Sequence, residues 1–398
     1  MKRSNGRFLT THMGGLPRPD DLAAMLTARD AGEPYDKDAL ARRVKSAVAE
    51  VVKLQAENGI DIVNDGELSK FSWAAYFSDR LDGIERKAGS PRAPITARDM
   101  RVFPDWFDVA GPMGFSGVQR LAAYRRGETP VQALGSRRAH VVGPLSYRGA
   151  ADTQTDIDNL KAAAQDVKVE ELYLTGLGPM TAEYFVTNEF YKTDEELVFA
   201  IAEAMNQEFK LITDAGILLQ IDEPAILTLW QTWPDMKLDE YRRWTEPRID
   251  ALNVALKGIP EDRVRVHICW GSSHHPHSQD IPLPEMLDLI LKINAGAYSL
   301  EAANPQHDAD WQVWKDGKLP DGKILIPGVI GHFTDFVENP RLVADRYVKY
   351  ANVVGAENVY GGTDCGIGTR VGAPSITWAK FRSMAEGARR ASQEFWKN

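Results

Sequence analysis

The chain has 398 residues, 43% of them hydrophobic and 26% charged, with a formal net charge of −9. This is the composition of a globular protein large enough to bury a sizeable core, and no basic stripe offers a nucleic-acid partner its electrostatic footprint. No apolar run reaches the roughly 18 residues of a membrane span, and the polar segment Met1–Thr11 has no secretory h-region, so a cytoplasmic protein with no membrane partner is expected.

Short β-rich runs alternate with longer helical stretches. A first strand is predicted over Phe8–Met13, ending in Gly14-Gly15-Leu16-Pro17, and a helix over Asp36–Asn58. The second strand, Ile60–Asn64, leads into Asp65-Gly66-Glu67. Residues 81–147, rich in Pro, Gly and Arg, interrupt the alternation and are read as an inserted hairpin or lid. Strands are then expected at Glu171–Thr175, Gly216–Ile221, Val264–Cys269, Ala297–Glu301, Lys323–Ile330 and Asn358–Gly362. Helices are expected at Thr193–Ala215, Asp239–Leu256, Leu283–Ile293, Pro340–Val354 and Pro374–Ala391. Eight strands alternating with helices predict one (β/α)8 TIM barrel spanning residues 1–398, with 81–147 inserted after the second strand.

Only two cysteines occur, and both lie in ligand-like surroundings. Cys269 stands two residues after His267, so both side chains leave one side of a strand. Cys365 lies in Gly361-Gly-Thr-Asp-Cys-Gly-Ile-Gly-Thr369 and Glu301 ends an apolar strand, where an unpaired carboxylate is costly to bury. One imidazole, two thiols and one carboxylate at strand ends suit zinc. Each residue alone also has a bland reading, as a core thiol, an ion pair or a buried strand position.

Other candidates carry two readings. Asp222 and Glu223 end a strand and either anchor a ligand amine or a ligating histidine, or form a salt bridge under a loop; Glu67 has the same status. Arg18 either holds an anionic group or caps a helix. His332 is either a general acid or a hydrogen-bonded loop histidine. The run His274, His275, His277 is read as a solvated loop rather than a second metal site. The tryptophans at 230, 233, 311 and 314 are read as core packing.

In the order and spacing of its motifs the chain resembles the cobalamin-independent methionine synthase family, in its zinc-bearing catalytic barrel. The resemblance rests on Thr10-Thr-His-Met-Gly-Gly-Leu-Pro-Arg-Pro19, Asp65-Gly-Glu67, Gln220-Ile-Asp-Glu-Pro224, His267-Ile-Cys269, Glu301, Pro327-Gly-Val-Ile330 and Thr363-Asp-Cys-Gly366. It implies zinc held by His267, Cys269, Glu301 and Cys365. It also implies an amino-acid thiol, homocysteine, held by Glu67 and Asp222 with the His12, Gly15 and Arg18 segment nearby, and a methyl donor such as a folate lying over Phe185. Two positions depart from the family pattern. Gly15 stands where the family has a substrate-contacting serine, and His332 is one residue from the family's acid, which aligns with Phe333. The segment His267-Ile-Cys-Trp-Gly with Glu301-Ala-Ala-Asn-Pro is also similar to the branch containing epoxyalkane:coenzyme M transferase. Methyl transfer to a small thiol is therefore expected, with alkyl transfer between a coenzyme M-like thiol and an epoxide as the alternative. A zinc-stabilised protein without turnover is the reading from a third class.

Overall fold

In the computed structural model, residues 1–88, 94–111, 137–368 and 370–396 are described. Their strands are β1 (Leu9–Thr10), β2 (Ile62–Val63), β3 (Leu81–Ala88), β4 (Arg137–Tyr147), β5 (Glu171–Leu177), β6 (Val186–Asn188), β7 (Leu218–Asp222), β8 (Val264–Ile268), β9 (Ala297–Leu300), β10 (Ile324–Ile330) and β11 (Tyr360–Thr363). Eight of them form one parallel sheet in the order β1-β11-β10-β9-β8-β7-β5-β2. The ends of that sheet approach each other where Asp61 N donates to Thr10 O at 3.1 Å and Thr11 Oγ1 to Ile62 O at 3.1 Å. A parallel sheet curled until its edges meet, with helices outside, is the (β/α)8 barrel.

Strand residues feed two cores. Side chains from alternate positions, among them Leu9, Ile62, Tyr173, Leu218, Ala297, Ile324 and Tyr360, fill the barrel interior. The intervening positions pack outward against the helices in the larger core. Sheets covered on both faces read as continuous apolar runs, which is why β7, β8, β9 and β10 are buried throughout.

The helices start where capping chemistry permits. Asp36 accepts the amide of Ala39 at 2.9 Å and opens Lys37–Glu57, whose buried face runs Leu40, Val44, Ala47, Val48, Val51 and Val52. Thr193 caps Asp194–Asp214 through Glu196 N, and Asn339 with Pro340 opens Pro340–Val354. Two helices, Asp20–Ala31 and Ala150–Ala164, are absent from the sequence-based reading. The helix expected over Leu283–Ile293 is broken. A 3-10 turn at Leu283–Glu285 gives way at Met286, whose φ is −125°, to a helix of four residues, Leu287–Ile290.

Within 81–147, β3 pairs antiparallel with β4, and β6 adds to β4 in parallel. Two short helices, Ala97–Val102 and Pro104–Ala110, lie between them, and 89–93 and 112–136 are outside the described residues. Arg98 fastens this segment to the barrel by donating to the carbonyls of Trp230, Trp233 and Met236 at 2.6–2.8 Å, its guanidinium 3.4 Å from the Trp230 ring centroid.

Candidate active site

Strand register stacks the polar side chains in layers. Gln220 lies opposite Arg265, Asp222 opposite His267, and His267 opposite Ser299. Leu218 and Ala297 begin the same alternation inside the barrel, so Asp222, His267 and Ser299 follow at the carboxyl ends of their strands. Cys269 and Glu301 lie just past the ends of β8 and β9, and Cys365 two residues past β11. That end of a barrel carries the active sites of enzymes with this fold.

The ligand atoms of His267, Cys269 and Cys365 lie within 4.8 Å of one another. Glu301 falls in an adjoining group with His332 and Asp364, also within 4.8 Å. Trp270 N, one residue after Cys269, donates to Glu301 Oε2 at 3.0 Å and ties the two groups together. Three of the four expected ligands therefore meet at one point, and the fourth stands beside them. The donor set fits a soft or borderline dication. His267 turns Nδ1 toward Ser299 Oγ at 3.3 Å, while its buried Nε2 has no hydrogen-bond partner. The hydrogen bond between the two thiols holds Cys365 well below the ordinary thiol range and pushes Cys269 well above it. Burial, then the charge of Asp364, pushes Glu301 up to about 8. Cys269 and Glu301 thus retain protons where a cation would relieve the same crowding of negative groups.

Asp364, in the Thr363-Asp-Cys-Gly366 motif, has a role that the sequence does not show. Its Oδ1 accepts the amides of Ala302 and Ala303, both at 2.8 Å, while Oδ2 is buried without a partner. Ser272 Oγ donates to Cys365 Sγ at 3.1 Å.

Adjacent acids part company at the end of β7. Glu223 caps the helix Pro179–Phe185, accepting Thr181 N at 2.7 Å and Met180 N at 3.1 Å. Asp222 turns into the barrel, where burial and then the charge of Glu67 push it up to about 7. Glu67 has the unusual φ of +58°, and its Oε1 accepts Thr175 Oγ1 at 2.9 Å. Its carboxylate packs on Gly14 and Gly15: a Cβ at Gly14 would stand 2.5 Å from Oε1, and one at Gly15 3.2 Å from Oε2. His12 is buried, with Nε2 bonded to Gln55 at 2.8 Å and Nδ1 3.2 Å from the Tyr173 hydroxyl, so its ring has no nitrogen left for a ligand. Arg18 spends both terminal nitrogens on the carbonyls of Glu67, Lys70 and Phe71. Both residues, expected to face substrate, instead brace the loops that present Gly15 and Glu67. Phe185 ends its helix and meets Trp73 edge to face at 6.0 Å.

His332 is fully buried, and among the described residues neither ring nitrogen has a hydrogen-bond partner. Burial drives it down to about 3, so near neutral pH it is an uncharged ring rather than an imidazolium acid.

Of the histidine run only His274 is exposed to solvent. His275 and His277 are buried and stacked with ring centroids 3.7 Å apart. His275 Nδ1 meets Asp99 Oδ2 at 2.7 Å, His277 Nδ1 meets Asp280 Oδ2 at 2.7 Å, and His277 Nε2 meets Ser273 O at 3.0 Å. His307 joins Asp280 at 3.1 Å and stacks on Trp270 at 3.5 Å. His275, His277 and Asp280 also lie within 4.8 Å of one another, but internal bonds already occupy both nitrogens of His277 and both oxygens of Asp280. The network clamps Asp99 of the inserted segment to the loops that carry Cys269 and Glu301. Asp280, three residues after His277, was the available sequence signal.

The fold and the site define a parallel barrel with a thiol, imidazole and carboxylate cluster at its functional end. Residues 117–390 match the catalytic domain of the cobalamin-independent synthases, and the chain belongs to the cobalamin-independent methionine synthase family. It is 27% identical over 388 residues to a methionine synthase of Saccharolobus solfataricus, covering 97% of this chain and 95% of that protein. A methionine synthase of Sulfolobus acidocaldarius is 26% identical over 361 residues, covering 90% and 85%. The fold is similar to that of a B12-independent methionine synthase from a Shewanella species, solved in complex with selenomethionine, with a TM-score of 0.71, 23% identity and coverage of 98% and 99%. A second similar structure, from Listeria monocytogenes, has a TM-score of 0.64 at 19% identity and is described as a putative B12-independent methionine synthase. Among the described residues no helix is long and apolar enough to cross a membrane.

Proposed function

We propose that the protein transfers a methyl group to the thiol of homocysteine, giving methionine, and that a zinc ion held by His267, Cys269, Glu301 and Cys365 is required. The observation that carries this reading is the convergence of His267, Cys269 and Cys365 within 4.8 Å, with Glu301 tied to the residue after Cys269, in a member of this family. When bound, zinc supplies a Lewis acid that keeps a substrate thiol deprotonated near neutral pH, where a free thiol of pKa about 8.5 is mostly protonated.

This chain's residues supply the rest. Glu67 and Asp222 are two neighbouring buried acids, and an ammonium group between them relieves both the desolvation and the repulsion that raise Asp222. They orient the amino-acid end of homocysteine so that its sulfur reaches the ligand cluster. Raising the thiolate fraction from a few per cent to one contributes only about 2 kcal/mol, against the roughly 8 kcal/mol or more of enzymatic rate enhancement. Positioning must contribute much of the difference. His332 acts as a neutral hydrogen-bond donor beside the cluster. Phe185 offers an aromatic edge for a flat methyl donor. Asp99 and Arg98 fasten the described part of the inserted segment to the loops after β7 and β8.

One observation favours a second reading. Gly15 has no hydroxyl where the family has a substrate-contacting serine, so alkyl transfer between a coenzyme M-like thiol and an epoxide is the competing assignment. The test is a pair of transfer assays with zinc-loaded protein, one with labelled methyltetrahydrofolate and homocysteine, the other with 2-mercaptoethanesulfonate and an epoxyalkane. Labelled methionine is expected. A thioether formed only from the sulfonate and the epoxide favours the second reading, and no labelled methionine refutes methyl transfer from this donor.

A further inference from the structure

Arg265 is the least explained charged group in the barrel. It is 1% exposed and sits two residues before His267. Nε donates to Gln220 Oε1 at 2.9 Å, Nη1 to Thr11 Oγ1 at 2.8 Å and Nη2 to His12 O at 2.6 Å, while the guanidinium lies 4.0 Å from the Tyr173 ring centroid. None of these partners is a carboxylate. A buried cation without a directly paired anion is costly, and a methionine would fill much of the same volume without that cost.

The hydrogen-bond chemistry gives the charge a use. Arginine has only donors, so Gln220 must face it with its carbonyl oxygen. The amide nitrogen of Gln220 is then turned the other way, and it donates to Asp222 Oδ1 at 2.7 Å. Without Arg265 only the carboxylate itself orients the amide, and Gln220 Oε1 is left buried without its donor. The strand register places Gln220 opposite Arg265 and Asp222 opposite His267, so the relay runs from one layer of the barrel to the next. It takes up Oδ1 of Asp222 and leaves Oδ2 for a ligand. The same guanidinium grips Thr11 and His12 at the end of β1, just before the Gly14-Gly15 turn on which Glu67 packs.

We infer that Arg265 and Gln220 are positioning residues that aim Asp222 at the ammonium group of the substrate, so that the pair sets selectivity for an amino-acid thiol over one lacking the amine. The inference rests on the proposed function, in which Asp222 meets that ammonium.

The test compares two probes on the full-length, zinc-loaded protein by calorimetry: homocysteine, and 4-mercaptobutanoate, which lacks only the amine. The wild type is expected to prefer homocysteine. Gln220→Leu is expected to reduce that preference by about tenfold or more, as loss of a hydrogen bond to a charged group would, with zinc content and the 4-mercaptobutanoate affinity unchanged. Arg265→Met should do the same and Arg265→Lys, which keeps a donor toward Gln220, should retain part of the preference. If Arg265→Met fails to fold, Gln220→Leu carries the test alone. A preference unaltered in Gln220→Leu, or equal weakening of both probes, overturns the inference while leaving the proposed function intact. A wild type that binds neither probe overturns both, and one that binds the two equally overturns the role of the amine.

Discussion

Asp364 Oδ1 receives the amides of Ala302 and Ala303, both at 2.8 Å. The carboxylate one residue before Cys365 thereby fixes the turn one residue after Glu301, and two proposed ligands from different strands are held in one mutual geometry. Gly328 leaves room for this, since a Cβ there would stand 1.9 Å from Asp364 Oδ1.

Removing the acceptor should loosen the site. Asp364→Ala is expected to cost about 1–3 kcal/mol of stability and about 10–100-fold in zinc affinity, as is usual for groups that orient ligands. Asp364→Asn keeps an oxygen acceptor and should lose less of both. Chelator competition and denaturant unfolding check the pair. Equal zinc affinity in wild type and Asp364→Ala would sink this account of Asp364.

The packing of Glu67 on Gly14 and Gly15 predicts unequal effects at neighbouring positions. Gly14 has φ +64° and a Cβ there would lie 2.5 Å from Glu67 Oε1; at Gly15 the nearest approach is 3.2 Å and no left-handed φ is imposed. Gly14→Ala should cost on the order of 1–2 kcal/mol from backbone strain alone and weaken homocysteine binding by displacing Glu67. Gly15→Ala should do much less. Thermal unfolding and homocysteine titration of both variants decide it, and similar behaviour of the two would count against the packing argument.

Arg80 donates to Asp156 and to Glu208 at 2.7 Å, with all three side chains buried. The residue precedes β3 and so anchors the root of the 81–147 segment to two barrel helices. Arg80→Ala strands two buried acids and is expected to cost about 3–5 kcal/mol. Surface pairs such as Arg101 with Asp235 should matter little. Urea unfolding midpoints compare them directly.

His307 gives stability a pH dependence. Burial alone would lower it, but its bonds to Asp280 and Asp310 prevail and raise it to about 9. Between the unfolded value of about 6.5 and about 9 the folded chain holds the extra proton. The contribution is therefore fully present below pH 6.5 and is lost as pH rises through about 9, on the order of 3 kcal/mol in all. His307→Gln should flatten the fall in stability across that window relative to wild type. Matching slopes in urea titrations from pH 6 to 10 would contradict it.

Much of this was legible because the barrel repeats one pattern. Apolar runs ending in Gln220-Ile-Asp222, Val266-His-Ile-Cys269 and Leu300-Glu301 mark strands and the chemistry beyond them. Helix Lys37–Glu57 falls within one residue of the expected Asp36–Asn58 at both ends. What escaped depends on contacts distant in sequence. Nothing local separates Asp222, which enters the barrel, from Glu223, which caps a helix 42 residues earlier. His275 and His277 read as solvated because their partner Asp99 lies 176 residues before His275. Asp364 is silent as well, since its bonds go to main-chain amides after Glu301. Helix Ala150–Ala164 hid because only Ile157 and Leu160 mark its apolar face.

The central claim is a zinc site built by His267, Cys269, Glu301 and Cys365, and metal stoichiometry tests it most directly. Elemental analysis of the purified wild type should find about one zinc ion per chain, with Cys269→Ser and Cys365→Ser, each verified as folded by circular dichroism, reduced to a small fraction of that. A zinc-free wild type that cannot be loaded, or folded serine variants that keep full zinc, would contradict the account.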